Sequence, residues 1–302
     1  MPTSIVPAAI ALTALGLWSF ALPAIMLFSM KRLKAIIIIL AAGFLWAPTG
    51  PADGLENMAI EEILDRAQGT NETSEDSIAD YACQSTFVMR EPQKDGTAKT
   101  VLIEDKTVYF RSPDREREVF RSVTKEGQVL SPEKLVEHQD KADEEIHKQS
   151  RDEDTPDTDA SDQGEGTLSF GGDSPWAPEQ RELYRFELLP PDTIRGIPAY
   201  AVKITPREKK ENLLDGIAWF HGDLFEVLKL EFQPAKNPRF VKKAHVILDF
   251  DEVQPGHWLP VEMKMDVCGG FLFIKKSFQM HQTWRDYQVN VGLPDSLFLL
   301  VD

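Results

Sequence analysis

The sequence predicts an α+β chain that is mainly antiparallel β, built on one large sheet with a single apolar face. Three observations carry this. Seven runs between Leu183 and Val289 are rich in β-branched and aromatic residues and are bounded by Pro, Gly, Asp or Asn, as strands between turns are. Several runs alternate strictly: Leu228, Leu230 and Phe232 against Lys229 and Glu231, then Ala244, Val246, Leu248 and Phe250 against Lys243, His245 and Asp249. Successive strand side chains point to opposite faces, so one face is apolar and the other wet. Third, an amphipathic helix precedes the sheet. Over Leu55–Gln68, Leu55, Met58, Ala59, Ile63 and Ala67 recur at three- and four-residue spacing, with Glu56, Glu61, Glu62 and Asp65 elsewhere around the cylinder.

The elements follow in order. Met1–Met30 carries no charge, and Lys31, Arg32 and Lys34 then lead into the apolar run Ala35–Ala47. From Met30 this reads as a signal peptide, with small residues Gly50 and Ala52 suited to cleavage before Asp53. The h-region spans only about 20 Å as a helix, short of a bilayer core of about 30 Å. Residues 1–29 are either an upstream extension or a membrane helix over roughly Ile5–Phe28, with Lys31–Lys34 on the cytoplasmic side. Both readings export the remainder, so a periplasmic location is expected, with inner-membrane anchoring as the alternative. Residues 53–302 are then one domain. In it Gly69 ends the first helix, Asp80–Arg90 and Lys99–Arg111 pair across the turn Pro92–Gly96, and Glu118–Thr124 adds a strand.

The pattern changes at Ser131, which caps a helix with Pro132 at its first position. That helix, Pro132–Gln149, is almost all charge, and Arg151–Gly172 is too polar to order itself. Residues 132–172 therefore read either as a solvated helix and mobile loop inserted into the sheet protein, or as a lid or partner-docking arm. The strands resume as Leu183–Leu189, Ala199–Thr205, Ile217–His221, Glu226–Gln233, Lys243–Val253, Trp258–Cys268 and Phe271–Tyr287.

Composition and motifs exclude much. A net charge of −16 with no basic stripe argues against nucleic acid. Cys83 and Cys268, in an exported chain, are either a disulfide or two buried thiols. None of the six histidines lies in a zinc spacing, and His138 and His147, in the charged helix, read as solvated. No nucleophile elbow, Walker loop or dinucleotide fingerprint is present. No catalytic residue, metal or cofactor is predicted, and the chain reads as a non-enzyme.

What remains is the apolar face. Phe186, Leu188, Trp219, Leu228, Leu230, Phe232 and Val246 are candidate lining residues from its first strands. Leu248, Phe250, Met263, Met265, Phe278 and Met280 continue it, with Tyr184 and Val261 beside them. Met58 and Ile63 would face them from the lid helix. A sheet of about ten strands carries more apolar area than one short helix covers, so it must close, pair or hold a ligand. Methionines there suit a flexible acyl chain.

The strand Gly196-Ile197-Pro198-Ala199-Tyr200-Ala201-Val202-Lys203-Ile204-Thr205-Pro206 resembles one of the LolA/LolB-like lipoprotein-sorting proteins. So do Gly216-Ile217-Ala218-Trp219-Phe220 with the following strand Val227–Phe232, and Gly256-His257-Trp258-Leu259-Pro260. The resemblance covers roughly Leu55 to Tyr287 and describes sheet and turn rather than a site. It implies a curved, open half-barrel whose concave apolar face, closed by helices, accepts acyl chains in the periplasm. The expected function is a carrier of lipid or lipoprotein acyl chains. The alternative is an envelope-stress sensor or interaction module whose acidic arm docks a basic, membrane-protein partner. The insertion 132–172 departs from the carriers' pattern.

Overall fold

This computed structural model describes residue 55 and residues 57–112, 115–152, 174–210, 213–238, 240–271 and 274–298. The predicted signal peptide, the 1–29 segment and most of the acidic loop lie outside the described residues. Among the described residues no helix is long and apolar enough to cross a membrane.

The fold class is the expected one. A single antiparallel sheet holds β1 (Asp80–Pro92), β2 (Ala98–Arg111), β3 (Arg115–Lys125), β4 (Gln128–Val129), β5 (Tyr184–Leu188) and β6 (Asp192–Ile194). It continues with β7 (Ile197–Pro206), β8 (Leu214–His221), β9 (Val227–Pro234), β10 (Val241–Gln254), β11 (His257–Phe271) and β12 (Ile274–Val289). The order is β4-β3-β2-β1-β12-β11-β10-β9-β8-β7-β5, with β6 against the far end of β7. The first and last long strands thus lie side by side within the sheet. β4 and β5 are its two edges and do not pair, so the sheet is open. Residues from both wings, Val123 of β3 and Ile204 of β7, belong to one core cluster, so the twisted sheet curls around its inner face.

Helix α1 (Ile60–Ser77) packs on that inner face through Ile63, Leu64 and Ala67. It departs from the expected Leu55–Gln68 at both ends. Leu55 and Met58 precede the helix, and Met58 is nonetheless buried in the core. Gly69 does not end it. The buried stripe continues past Gly69 in small polar residues, Asn71 at 5% exposure and Ser74 at 0%, to Ile78. Their polarity hides the period from a hydrophobicity pattern. Gly69 itself is on the exposed side, and its carbonyl accepts the Thr73 hydroxyl at 2.8 Å.

Helix α2 (Pro132–Asp152) begins where Ser131 predicts, and the Ser131 hydroxyl lowers the Glu133 carboxyl. It is not merely solvated. It docks on β3, with Ala142 buried, Leu135 half-buried, and Gln139 donating to the Glu118 carbonyl at 2.7 Å while accepting the Phe120 N–H at 3.0 Å. His138, expected in solvent, is 16% exposed at its side chain and bonds Glu104 at 2.9 Å.

No disulfide forms: both cysteines are free. Cys83 sits on the inner face in the core, while Cys268 follows inner-facing Val267 and so points outward. Along β12, the neighbour of β1 near Cys83 is Arg285, and the partner of Cys268 is Ser277. That offset is about 25 Å of strand, far beyond disulfide reach. Burial pushes the Cys83 thiol up, which keeps it protonated and unreactive.

Candidate functional site: the covered inner face

The inner face is assembled by cross-strand register. Phe232 of β9 faces Val246 of β10, which faces Met265 of β11. Met265 faces Met280 of β12, and Met280 faces Met89 of β1. This row ends in three neighbouring methionines on three strands. One step along, Leu230, Leu248, Met263 and Gln282 form a parallel row. All of these, with Phe250 and Phe278, are at most 6% exposed and, Gln282 apart, lie in one core cluster with Met58 and Ile63. Nine of the thirteen predicted lining residues therefore do share one face.

Two more, Phe186 and Leu188, share that face by register, paired with inner-facing Ile204 and Val202, but lie at its edge, Phe186 half-buried and Leu188 39% exposed. The other two do not. Trp219 lies between Ala218 and Phe220 of the inner cluster, so it points outward. A bulge at Trp219/Phe220 places Leu228 outward as well, breaking the alternation that the sequence shows for Leu228, Leu230 and Phe232. Both join a separate outer cluster with Ala199, Ala201 and Trp258. Lys229 lies over the Trp219 ring at 4.5 Å, and the indole N–H donates to Asp192 at 2.9 Å.

The cover contains an element absent from the sequence reading. Residues 174–177, Ser-Pro-Trp-Ala, are all buried ahead of β5. Trp176 is fully buried and meets Phe220 of β8 edge to face, ring centroids 5.1 Å apart. Ser174 donates to Gln68 of α1 at 3.3 Å, and Arg181 pairs with Asp65 of α1 while donating to the Trp176 carbonyl at 2.6 Å. α1 and this segment thus form one lid. The signal was a lone tryptophan between two prolines, at the end of a stretch too polar to suggest any core.

The lid is imperfectly satisfied. Trp176 Nε1 and Ser74 Oγ, both at 0% residue exposure, find no hydrogen-bond partner among the described residues. Each such buried orphan costs about 1–3 kcal/mol. Its apolar contacts are extensive, but its polar ties are at the rim and partly exposed.

Where α1 meets the β8–β9 turn, Thr70 donates to the Leu224 carbonyl at 3.2 Å and Arg66 lies over the Phe225 ring at 5.0 Å. Under that turn, Glu226 is 2% exposed with Oε1 partnerless among the described residues. Burial, reinforced by the Glu252 carboxylate, pushes its carboxyl up to about 8, while burial pulls His221 and His257 down. The Glu226 value is raised above the 4.5 of a free side chain, so folding favours its neutral form. No penalty exists below pH about 4.5, and stability falls as pH rises from there through about 8. Glu226→Gln is therefore expected to stabilise the protein by about 3 kcal/mol at pH 7 and by almost nothing at pH 4. Chemical denaturation of both proteins at the two pH values checks this, and an equal difference at both would contradict it.

Among the described residues no group of three His, Cys, Asp or Glu side chains could hold a metal ion. A family model described as a family of unknown function (DUF5686) matches residues 168–287, less than half of the chain. No curated protein matches. Solved structures similar to the chain include a DUF1329 family protein from Desulfovibrio piger, at 12% identity and a TM-score of 0.37, covering 79% of this chain and 95% of that one. A LolA superfamily protein from Nitrosomonas europaea is 12% identical with a TM-score of 0.36, covering 80% and 98%. An outer membrane lipoprotein-sorting protein domain from Vibrio parahaemolyticus is 14% identical with a TM-score of 0.35, covering 79% and 95%. At that overlap they carry no argument about the chemistry of this chain, whose open sheet rests on its own strand register.

Proposed function

We propose that the protein is an exported, non-enzymatic carrier that takes an acyl chain of a lipid or lipoprotein between the inner face and its lid. The observation that supports this is the row Phe232, Val246, Met265, Met280 and Met89, apolar along its length and ending in three adjacent methionines. Thioether side chains are unbranched and adapt to an irregular, flexible guest. With the lid down, the face is filled by the protein's own side chains, so uptake requires the lid to move. The ties resisting that motion include the Arg181–Asp65 pair, whose aspartate is 68% exposed, and the long Ser174–Gln68 bond. Exposed pairs of this kind are worth about 0–1 kcal/mol.

Titration with a fluorescent fatty acid, together with native mass spectrometry of protein purified from its own host, tests the reading. Saturable uptake and a co-purifying lipid are expected. Repeated isolation of lipid-free protein that also ignores the fatty acid would sink it.

A further inference from the structure

The outer face of the sheet, remote from the acyl-chain row, holds a cleft of about 490 Å³. It is lined by Ala82 and Gln84 of β1, Thr107 and Tyr109 of β2, Arg121 of β3, Asp286 and Gln288 of β12, and Leu293 of the tail that follows. The β1 and β2 residues alternate with inner-facing Tyr81, Cys83, Val108 and Phe110, which fixes them on the outer side. This volume lies within the roughly 300–1,000 Å³ of small-molecule sites.

Three features make it more than a surface dent. First, a register shift between Ala82 and Gln84 against β12 interrupts the ladder at its floor. Bulges of this kind re-aim side chains beside binding sites. Second, Asp286 holds a φ of 55°, a left-handed backbone that is uncommon outside glycine and turns the side chain out of the regular alternation. Third, the wall is built rather than draped. The Asp80 carboxylate accepts the N–H groups of Val291, Gly292 and Leu293 at 2.7, 3.2 and 2.9 Å, pinning the tail that carries Leu293.

The chemistry of the lining selects the ligand. Arg121 and Asp286 make no ion pair among the described residues, although both border the cleft. Together they offer five guanidinium donors and a carboxylate acceptor with no net charge. Gln84 and Gln288 add planar amides that both donate and accept, and Thr107 and Tyr109 add hydroxyls. Gln84 is already oriented, accepting the Thr107 hydroxyl at 3.3 Å. An anion would meet Asp286 and a chain of net charge −16. A cation would meet Arg121. A ligand of vicinal hydroxyls satisfies both at once, donating to the carboxylate and accepting from the guanidinium. Its C–H face would rest on the Tyr109 ring and Leu293. The geometry points to a binding site for a neutral saccharide on the outer face.

Isothermal titration of the full chain with maltotriose, cellotriose and chitotriose, and with succinate as an anionic control, tests this. At least one trisaccharide is expected to bind saturably. Arg121→Ala and Asp286→Asn are each expected to weaken that binding about tenfold or more, as the loss of a charge-assisted hydrogen bond does. Asn tolerates the left-handed backbone at 286, so the second variant keeps the fold. Absence of binding by all three sugars at about 10 mM would overturn the inference, that concentration being above the weakest useful affinities. So would binding that both variants leave unchanged, or succinate binding in place of the sugars. Fatty-acid uptake is unaffected by either variant, which separates failure here from failure of the carrier reading.

Discussion

Trp176→Ala is expected to destabilise the protein by about 3–5 kcal/mol and to raise its uptake of a fluorescent fatty acid. The indole is fully buried against Phe220, so truncation leaves a void under the lid rather than a relaxed surface. The same void adjoins the apolar face, and a ligand entering it regains the lost contacts. Trp176→Phe discriminates this from general damage. It keeps a ring on Phe220 while removing an N–H that has no partner among the described residues, so its cost should be far smaller. Denaturation midpoints and the fatty-acid titration read both variants. Equal loss in the two would show that ring packing is not what holds the segment. A stable Trp176→Ala protein with unchanged uptake would remove the segment from the lid.

The lid follows from the topology. The strand order runs from β4 at one edge to β5 at the other, and the chain makes that transfer between residues 130 and 183. Its two described ends are both fastened to inner-face positions. α2 grips β3 through Gln139, and Trp176 grips β8 through Phe220. α1 completes the cover from the N-terminal side before entering β1. A sheet left open at its edges, with one apolar face, is thus covered by α1 together with residues 174–183, while α2 docks on β3 at the other described end.

Much of this was legible in the sequence, because period two survives wherever a strand has one wet face. β1, β2, β10 and β12 alternate buried and partly exposed positions along most of their lengths, and their predicted spans agree with the observed ones to within a few residues. Several misses share a cause: burial by groups that do not look apolar. Asn71 and Ser74 carry α1 past Gly69 although neither is hydrophobic. Glu104, Lys106 and Glu118 occupy inner-face positions at 4–7% exposure, where a hydrophobicity pattern reads solvent. Trp219 and Leu228 fail for a different reason. A single bulge, which no residue pattern announces, moves Leu228 to the other face, and Trp219 belongs to a strand with apolar residues on both sides. Trp176 was hidden by its neighbours, since one aromatic residue cannot outweigh the polar stretch before it.

The buried charges of the β2–β3 wing give the second large effect. Lys106 Nζ meets Glu118 Oε2 at 2.6 Å, their side chains 5% and 9% exposed, and lies over the Phe120 ring at 5.4 Å. Burial alone would pull the ammonium down, but the carboxylates of Glu118 and Glu104 outweigh it and hold it above its ordinary value. A raised lysine contributes stability at every pH below its unfolded value of about 10.5 and loses it only as pH climbs through the higher folded one. Lys106→Met is therefore expected to cost about 3–5 kcal/mol at pH 7, because it strands Glu118 without its cation in a dry site. Adding Glu118→Leu should recover most of the loss, since a packed apolar pair often equals or exceeds a buried ion pair. Because Gln139 of α2 bonds the Glu118 carbonyl and the Phe120 amide of the same strand, hydrogen exchange in α2 should rise in the single variant and fall back in the double. A single variant within about 1 kcal/mol of wild type would mean that water reaches the pair and that α2 does not seal it.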